Sequence, residues 1–339
     1  MATRLQGMRS LKNLFQKQLP LYSTPTASRT GTQIKRFSSD TQEDINYEIR
    51  PMRRSDIQGL YELLDENGWN MEKSYLECVF NTDPSGLVIV EKDDGKVIGH
   101  NGILAHSETI ASSGMNIVKE DYRKHGIGKQ LFRKVMDVMK DRNVGGTSLS
   151  NRITFYEQFG WTIKSYTIHY NQGRVNPNFI KDVPDANVEV VSVKDANFDD
   201  VISYDSELHT VPRPVYISNW ALHTSATTYV ALQSGRVCGY GVLRPADVGH
   251  KMYPLYANDS KIARSLFSKL ASHIPKGEDL IFSQPVENEM ANSFVEANNL
   301  NTYLSMTRLY NKWNIYPDLK RVYSVSTTEY GIVNVNTKK

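Results

Sequence analysis

The sequence predicts an α/β (α+β) chain of two similar units, each made of hairpin-paired strands flanked by helices. Three observations predict it. Val118-Lys119-Glu120-Asp121-Tyr122-Arg123-Lys124-His125-Gly126-Ile127-Gly128 reads as a strand end, a tight glycine turn and the start of an amphipathic helix. Short strand-like runs alternate with segments of helical period and turn residues. Segments of the second half repeat, in order, segments of the first.

Residues 48–52 read as a short strand, after which Ser55 is placed to cap a helix over 56–67. A second helix is predicted over 72–80, and Asp83-Pro84-Ser85-Gly86 is a turn. Strands over 87–90 and 97–104 are joined by the hairpin turn Asp93-Asp94-Gly95. Another strand ends at Val118. Over 128–142, Leu131, Phe132, Val135, Val138 and Met139 recur at helical spacing. A short strand over 147–149, a short helix over 153–159 and a last strand over 161–170 complete a unit spanning 46–170. Residues 171–187, with two prolines, a glycine and several asparagines, read as a linker. A second unit is expected over 188–315 and a tail over 316–339.

In the repeat, Gly235-Arg236-Val237-Cys238-Gly239 echoes Gly95-Lys96-Val97-Ile98-Gly99, and Arg264-Ser265-Leu266-Phe267 echoes Lys129-Gln130-Leu131-Phe132. Phe294-Val295-Glu296 echoes Phe155-Tyr156-Glu157. At the offset that aligns Leu131 with Leu266, Arg123 falls on Asn258, Gly126 on Lys261 and Gly128 on Ala263. The second copy lacks both glycines of the turn, and a side chain at the first would crowd a phosphate approaching the backbone. The chemistry is therefore expected in the first unit.

Composition narrows the functional classes. Residues 1–39 hold seven basic residues and no acidic one; the remainder holds 33 basic and 37 acidic residues, a net charge of −4. That balance lacks the footprint of a nucleic-acid binder. No apolar run is long enough to span a bilayer, so no membrane role is expected. The two cysteines, Cys78 and Cys238, and eight scattered histidines give no metal signal. The first 39 residues, rich in Arg, Ser and Thr, with Leu5, Met8, Leu11 and Phe15 at helical spacing and Arg36-Phe37-Ser38-Ser39 at the end, read as a mitochondrial transit peptide. A disordered basic tail is the alternative. Oligomeric state is not legible.

The turn Arg123-Lys124-His125-Gly126-Ile127-Gly128, and about 30 residues later Asn151 with Phe155-Tyr156-Glu157-Gln158-Phe159-Gly160-Trp161, resemble the two motifs of the GNAT superfamily of acyl-CoA-dependent N-acyltransferases. Gly68-Trp69-Asn70, Asp83-Pro84 and Tyr253-Pro254-Leu255-Tyr256-Ala257 are similar to a tandem type found in bacteria and nematodes, in which a second GNAT-like domain has diverged. The resemblance implies two units, each with a mixed, mostly antiparallel central sheet flanked by helices. Two departures stand out: Asn151 lies five residues before Tyr156, where seven is usual, and Glu120 replaces a common proline.

The resemblance implies acetyl transfer from acetyl-CoA to a primary amine of a small molecule or amino acid, with no metal. Backbone amides of Lys124, His125, Gly126, Ile127, Gly128 and Lys129 are candidates to hold the pyrophosphate, with charge from Arg123 or Lys124. Ile117, Val118 and Asn151 are further candidates to hold the cosubstrate, and the Val118 N–H to polarise the thioester carbonyl. Tyr156 is the candidate acid for the departing thiolate. Glu120 and Glu108, with His106 near, are candidate bases; a water chain is the alternative. Tyr166, Tyr170, Trp220, Tyr253 and Tyr256 are either core or the lining of an acceptor pocket between the units. Arg213, between Pro212 and Pro214, has no role in the sequence beyond a turn. Transfer from longer acyl-CoA donors, as in mitochondrial glycine conjugation, and a non-catalytic acyl-CoA-binding protein are the competing readings.

Overall fold

A computed structural model describes residues 45–139, 141–180, 187–209 and 211–327, so the leader predicted over 1–39 lies outside the described residues. The first half runs β1 (Tyr47–Pro51), α1 (Ile57–Glu66), α2 (Lys73–Thr82), β2 (Leu87–Lys92), β3 (Val97–Ala105), β4 (Ile110–Val118), α3 (Ile127–Met139), β5 (Asn143–Leu149), α4 (Ile153–Glu157) and β6 (Ile163–Gly173). A short helix, α5 (Pro177–Ile180), follows. The second half runs β7 (Glu189–Ser192), α6 (Phe198–His209), α7 (Pro214–Ala221), β8 (Thr227–Gln233), β9 (Arg236–Pro245), β10 (His250–Ala257), α8 (Ser260–Ala271), β11 (Leu280–Pro285), α9 (Glu289–Ala297), β12 (Asn301–Tyr310) and β13 (Val322–Ser324).

The strands form one sheet in the order β1-β2-β3-β4-β5-β12-β6-β11-β10-β9-β8-β7, with β13 against β10. The order is unchanged when each of β1 to β12 is exchanged for its counterpart six places away and the list is read backwards. The last strand of each half has crossed to the other: β12 pairs antiparallel with β5, and β6 pairs antiparallel with β11. The two crossed strands pair with each other at the centre, for example Ile168 opposite Met306.

Several local expectations change. Ser55 does not cap the first helix; residues Arg54–Asp56 form a 3-10 turn. The Asp56 carboxylate instead receives both terminal nitrogens of Arg50 at 2.8 Å and the Arg53 N–H at 2.6 Å, which clamps the turn onto β1. The expected linker is partly ordered structure, because β6 continues to Gly173 to pair with Leu280 of β11. Residues 316–339, expected as a tail, contain β13.

The amphipathic helix α3 buries Leu131, Phe132 and Val135 completely against Val88, Val90, Val144 and Trp161. Truncating a buried Phe such as Phe132 to Ala costs about 3–5 kcal/mol. On the opposite face a single core is shared by both halves, with Leu60, Tyr75 and Tyr166 packed among Tyr204, Tyr216, Trp220 and Tyr240. Arg244 ties the halves further: its guanidinium pairs with Glu72, donates to Ser74 Oγ at 2.7 Å and lies 4.3 Å over the Trp220 ring. The Gly68-Trp69-Asn70 segment has a related role, since Asn70 exchanges two hydrogen bonds with the Val248 backbone at 2.8 and 2.9 Å.

Arg213 now has a physical account. It is 4% exposed and directs two parallel hydrogen bonds, at 2.8 and 2.9 Å, to the Asp205 carboxylate on α6. Burial alone would raise the Asp205 pKa; the Arg213 charge, with His209 and the Tyr240 hydroxyl, holds it below the usual carboxylate range. The neighbouring histidines go the other way. Burial pushes His100 and His106 down to about 3, with the Arg213 and Arg308 charges adding to the effect at His106. His209 is held well below its ordinary value by burial and Arg213. All three are neutral in the folded chain but take up a proton near pH 6.5 when unfolded. Their contribution is therefore intact above about pH 6.5 and is lost as pH falls toward 3, with a limiting slope of about 4 kcal/mol per pH unit. Urea melts at pH 7.5, 6.0 and 5.0 will show this decline; equal stability at all three would contradict the burial of these rings.

Candidate active site

The parallel pairing of β4 with β5 covers three positions, Ile110 with Asn143, Ala111 with Val144 and Ser112 with Gly145. The ladder ends at Ser112 and Gly145, so 113–118 of β4 and 146–149 of β5 make no pairs with each other, and this unpaired seam is the candidate cleft. On its β3 side, β4 bulges: Met115 and Asn116 together oppose Asn101, and Met115 takes the left-handed φ of +57°. Such a bulge re-aims a side chain at the point where pairing ends. Lys119 donates its N–H to the Ile98 carbonyl at 2.8 Å. The alternation of an antiparallel pair then turns the Val118 N–H and C=O toward the cleft, whereas Ile117 is buried in the shared core.

At the mouth of the cleft the glycine turn enters α3. Lys124 and Gly126 have φ of +70° and +79°, so the backbone from Lys124 to Gly128 curls into a concave turn; the Lys129 N–H, expected as a further phosphate donor, is instead taken by the Gly126 carbonyl at 3.1 Å. A Cβ built on Gly126 meets nothing within 4 Å, and one on Gly128 meets only Val118 Cγ2 at 3.7 Å. The space above the turn is open, as an anion seated on the helix N-terminus requires. His125 and Lys129 lie on this rim, His125 partly buried and Lys129 exposed. Arg123 does not face that space. Its Nε donates to the Val118 carbonyl at 2.9 Å and its Nη2 to Asn67 Oδ1 at 2.5 Å, so it fastens the end of β4 to α1, leaving the exposed Lys124 nearer the phosphate role.

Tyr156 on α4 is partly buried, 5.7 Å from the Phe132 ring and 5.9 Å from the Trp161 ring. Its hydroxyl sits beside the Asn116 side chain, which places it at the cleft. Burial raises its pKa, while Asn116 and the charge of Arg152 pull the other way. The group stays protonated at neutral pH yet has two neighbours that favour its anion. Asn151 is exposed on the turn Ser150–Arg152 after β5. The candidate bases do not join this group. Glu108 is exposed in the turn before β4, at the other end of that strand from Val118, and Glu120 is exposed on the pyrophosphate side of the mouth. His106 is held as a neutral ring against Ser112 Oγ at 3.0 Å. Asn116 and Arg152 were missed in the sequence; the only signal was a polar residue in an apolar strand and a cation next to the motif asparagine.

The second half has the same geometry, but filled. The ladder between β10 and β11 likewise covers three pairs, from His250 with Leu280 to Met252 with Phe282. Where these strands part, β13 enters: Leu255 and Tyr256 pair with Ser324 and Val322, and the Val325 N–H donates to the Ser283 carbonyl at 2.8 Å. The N-terminus of α8 is occupied as well, because Asp259 Oδ1 accepts the N–H groups of Lys261 and Ile262 at 2.9 and 3.0 Å. A strand stands where an extended arm would lie and a carboxylate where a phosphate would sit. Calorimetry with acetyl-CoA is therefore expected to give a stoichiometry of about one per chain; two equivalent sites would overturn the assignment.

Comparison with known proteins agrees with this two-fold geometry. Residues 54–161 match the model of the acetyltransferase (GNAT) family, and residues 201–324 match a second model, an acetyltransferase (GNAT) domain. The chain is a tandem GNAT acyltransferase. It is similar to holothin acyltransferase of Pseudoalteromonas sp. (strain SANK 73390), 22% identical over 246 residues, covering 72% of this chain and 81% of that one. The fold of this GNAT chain is similar to the solved structure of "a putative acetyltransferase" from Pyrococcus horikoshii, with a TM-score of 0.71 and 18% identity over 88% of this chain and all of that one. It also resembles a tandem GNAT protein from the clavulanic acid biosynthesis pathway, with a TM-score of 0.58 and 11% identity over 78% of this chain and 98% of that one.

Proposed function

We propose that this GNAT chain transfers an acetyl group from acetyl-CoA to the primary amine of a small molecule or amino acid, by direct attack in a ternary complex. The observation that carries the reading is the Tyr156 hydroxyl beside Asn116 at the parting of β4 and β5, with the open glycine turn at the mouth. The pyrophosphate would rest on the amides from Lys124 to Gly128 and the pantetheine arm would run along β4, meeting the Val118 N–H. The neutral amine attacks the thioester carbon, the C–S bond breaks, the thiolate takes the Tyr156 proton, and the proton shed by the newly acylated nitrogen passes through water to restore the phenol. An ordinary phenol at pKa about 10 giving its proton to a thiolate near 8.5 is uphill by about 2 kcal/mol; burial of Tyr156 adds to that cost, and Asn116 and Arg152 return part of the addition.

Direct attack is favoured over a thioester relay through the protein. Cys78 and Cys238 are both buried, and burial pushes each thiol up to about 11, so neither is a ready nucleophile. A short donor is favoured because the closed end of the cleft is walled on both faces. A Cβ on Gly146 would meet the Trp161 ring at 2.7 Å, and one on Gly145 would meet Arg308 Nη2 at 2.5 Å. With no carboxylate beside Tyr156 among the described residues, the amine is taken to lose its proton to water before attack. The acid-free leader supports a mitochondrial location, testable by fractionation and sequencing of the mature N-terminus. The reaction is tested by a screen of amine acceptors with acetyl-CoA, read as free CoA thiol. Turnover that follows acceptor concentration is expected; no calorimetric heat with acetyl-CoA would overturn the reading.

A further inference from the structure

Resting on that reading, we infer that Arg308, with Arg213 in the same buried interior, forms a carboxylate site at the seam of the two halves, so that the acceptor is an amino acid rather than a simple amine. Arg308 comes from the crossed strand β12 and is 1% exposed. Its guanidinium lies against Gly145, the residue at which the β4–β5 ladder ends, where a Cβ would meet first the Tyr310 ring and then Arg308 Nη2 at 2.5 Å. The pantetheine arm enters at the Gly126 turn and runs inward along β4, so the acyl end is directed toward this closed end. Arg308 lies on the face of the sheet opposite Trp161 and α3, since consecutive residues Gly145 and Gly146 face opposite sides.

Nothing in the described residues neutralises it. Its Nε reaches only the Tyr310 hydroxyl at 3.4 Å, and Nη2 has no partner. Arg213 Nη1 is likewise buried without a partner, its other nitrogens being engaged with Asp205 and His209. The charged and titratable groups that face this interior are Arg213 and Arg308, the Asp205 carboxylate, the neutral His106 and His209, the Cys78 thiol, and the phenols of Tyr166, Tyr216, Tyr240, Tyr256 and Tyr310; the exposed Glu287 carboxylate acts on Tyr166 from outside and accepts the Thr167 N–H at 3.0 Å. Asp205 balances one arginine, and one positive charge is left over. A buried guanidinium without a counter-ion is costly, and a carboxylate presents the matching planar pair of acceptors. The surrounding phenol and indole rings fit the apolar remainder of an amino acid. Both arginines are closed to solvent here, so occupancy involves side-chain movement along the seam.

The test uses the full chain and matched pairs that differ only in the carboxylate: phenylalanine and phenethylamine, leucine and isopentylamine, lysine and cadaverine. With acetyl-CoA as donor, kcat/KM for the amino acid is expected to exceed that for its partner amine by about 10-fold or more. In Arg308→Gln that preference should fall to near unity with KM for acetyl-CoA unchanged, and Arg308→Lys should keep part of it. Equal use of amine and amino acid by the unaltered chain would overturn this inference while leaving the transferase reading intact. If no acceptor turns over, the transferase reading fails, and calorimetry of each pair against the protein–CoA complex still decides the site: heat with the acid alone supports it, and heat with neither or with both equally rejects it. The comparison of pairs needs no variant, so misfolding of Arg308→Gln would not rescue the idea.

Discussion

Tyr156→Phe is expected to lower kcat with the best acceptor by about 10²-fold to 10⁴-fold while leaving acetyl-CoA affinity within about 3-fold. The substitution removes one oxygen and keeps the ring. Its contacts with Phe132, Phe155 and Trp161 survive, so the hydrophobic packing on α3 is retained. What is lost is the proton for the departing sulfur. The thiolate must then leave unprotonated or wait for water. The defect should shrink when the leaving thiol is made more acidic, as with an activated aryl thioester donor. A variant with normal kcat would remove Tyr156 from the chemistry, and a variant that lost acetyl-CoA binding would make it part of the cradle instead.

Gly126→Asp is expected to weaken acetyl-CoA binding by at least about 100-fold without unfolding the chain. The position has φ of +79° with open space around it, so a side chain meets strain but no clash. Left-handed backbone is tolerated by Asp and Asn better than by other residues that carry a Cβ. The new carboxylate would occupy the space assigned to the pyrophosphate and carry the same sign of charge. Gly126→Asn is the control, because it has the same shape and no charge. Calorimetry should show a modest loss for Asn and a near-complete loss for Asp. The arrangement already exists in the second half, where Asp259 accepts two N–H groups at the start of α8. Equal binding by the parent chain and Gly126→Asp would mean that the phosphates lie elsewhere.

How much of this was legible in the sequence depended on how local each feature is. The helix α3 and the glycine turn were legible because their signals are a period and two residues. Tyr156 was legible because its motif has a fixed order. The crossing of β6 and β12 was not, since alternation reports which face of a strand is buried but not which strand lies beside it. β13 is three residues long and leaves no pattern to find. Asn116 depends on a bulge, which exists only by reference to the partner strand. Arg213 was visible as an oddity between two prolines, yet its meaning required Asp205 and His209, which stand eight and four residues before it in the chain.

The exchange of last strands also decides how this chain can be inherited. Neither half owns a finished sheet: the edge of β5 in the half bearing the glycine turn is completed by Met306 to Tyr310, and loss of those residues would bare an unpaired edge beside the cleft. A stop codon late in the reading frame is thus a lesion of the early half, although the two lie more than 100 positions apart in the chain. The second half, with β13 and Asp259 standing where the first half is open, cannot be discarded, because its closing strand β12 walls the sheet beside its sibling's glycine turn.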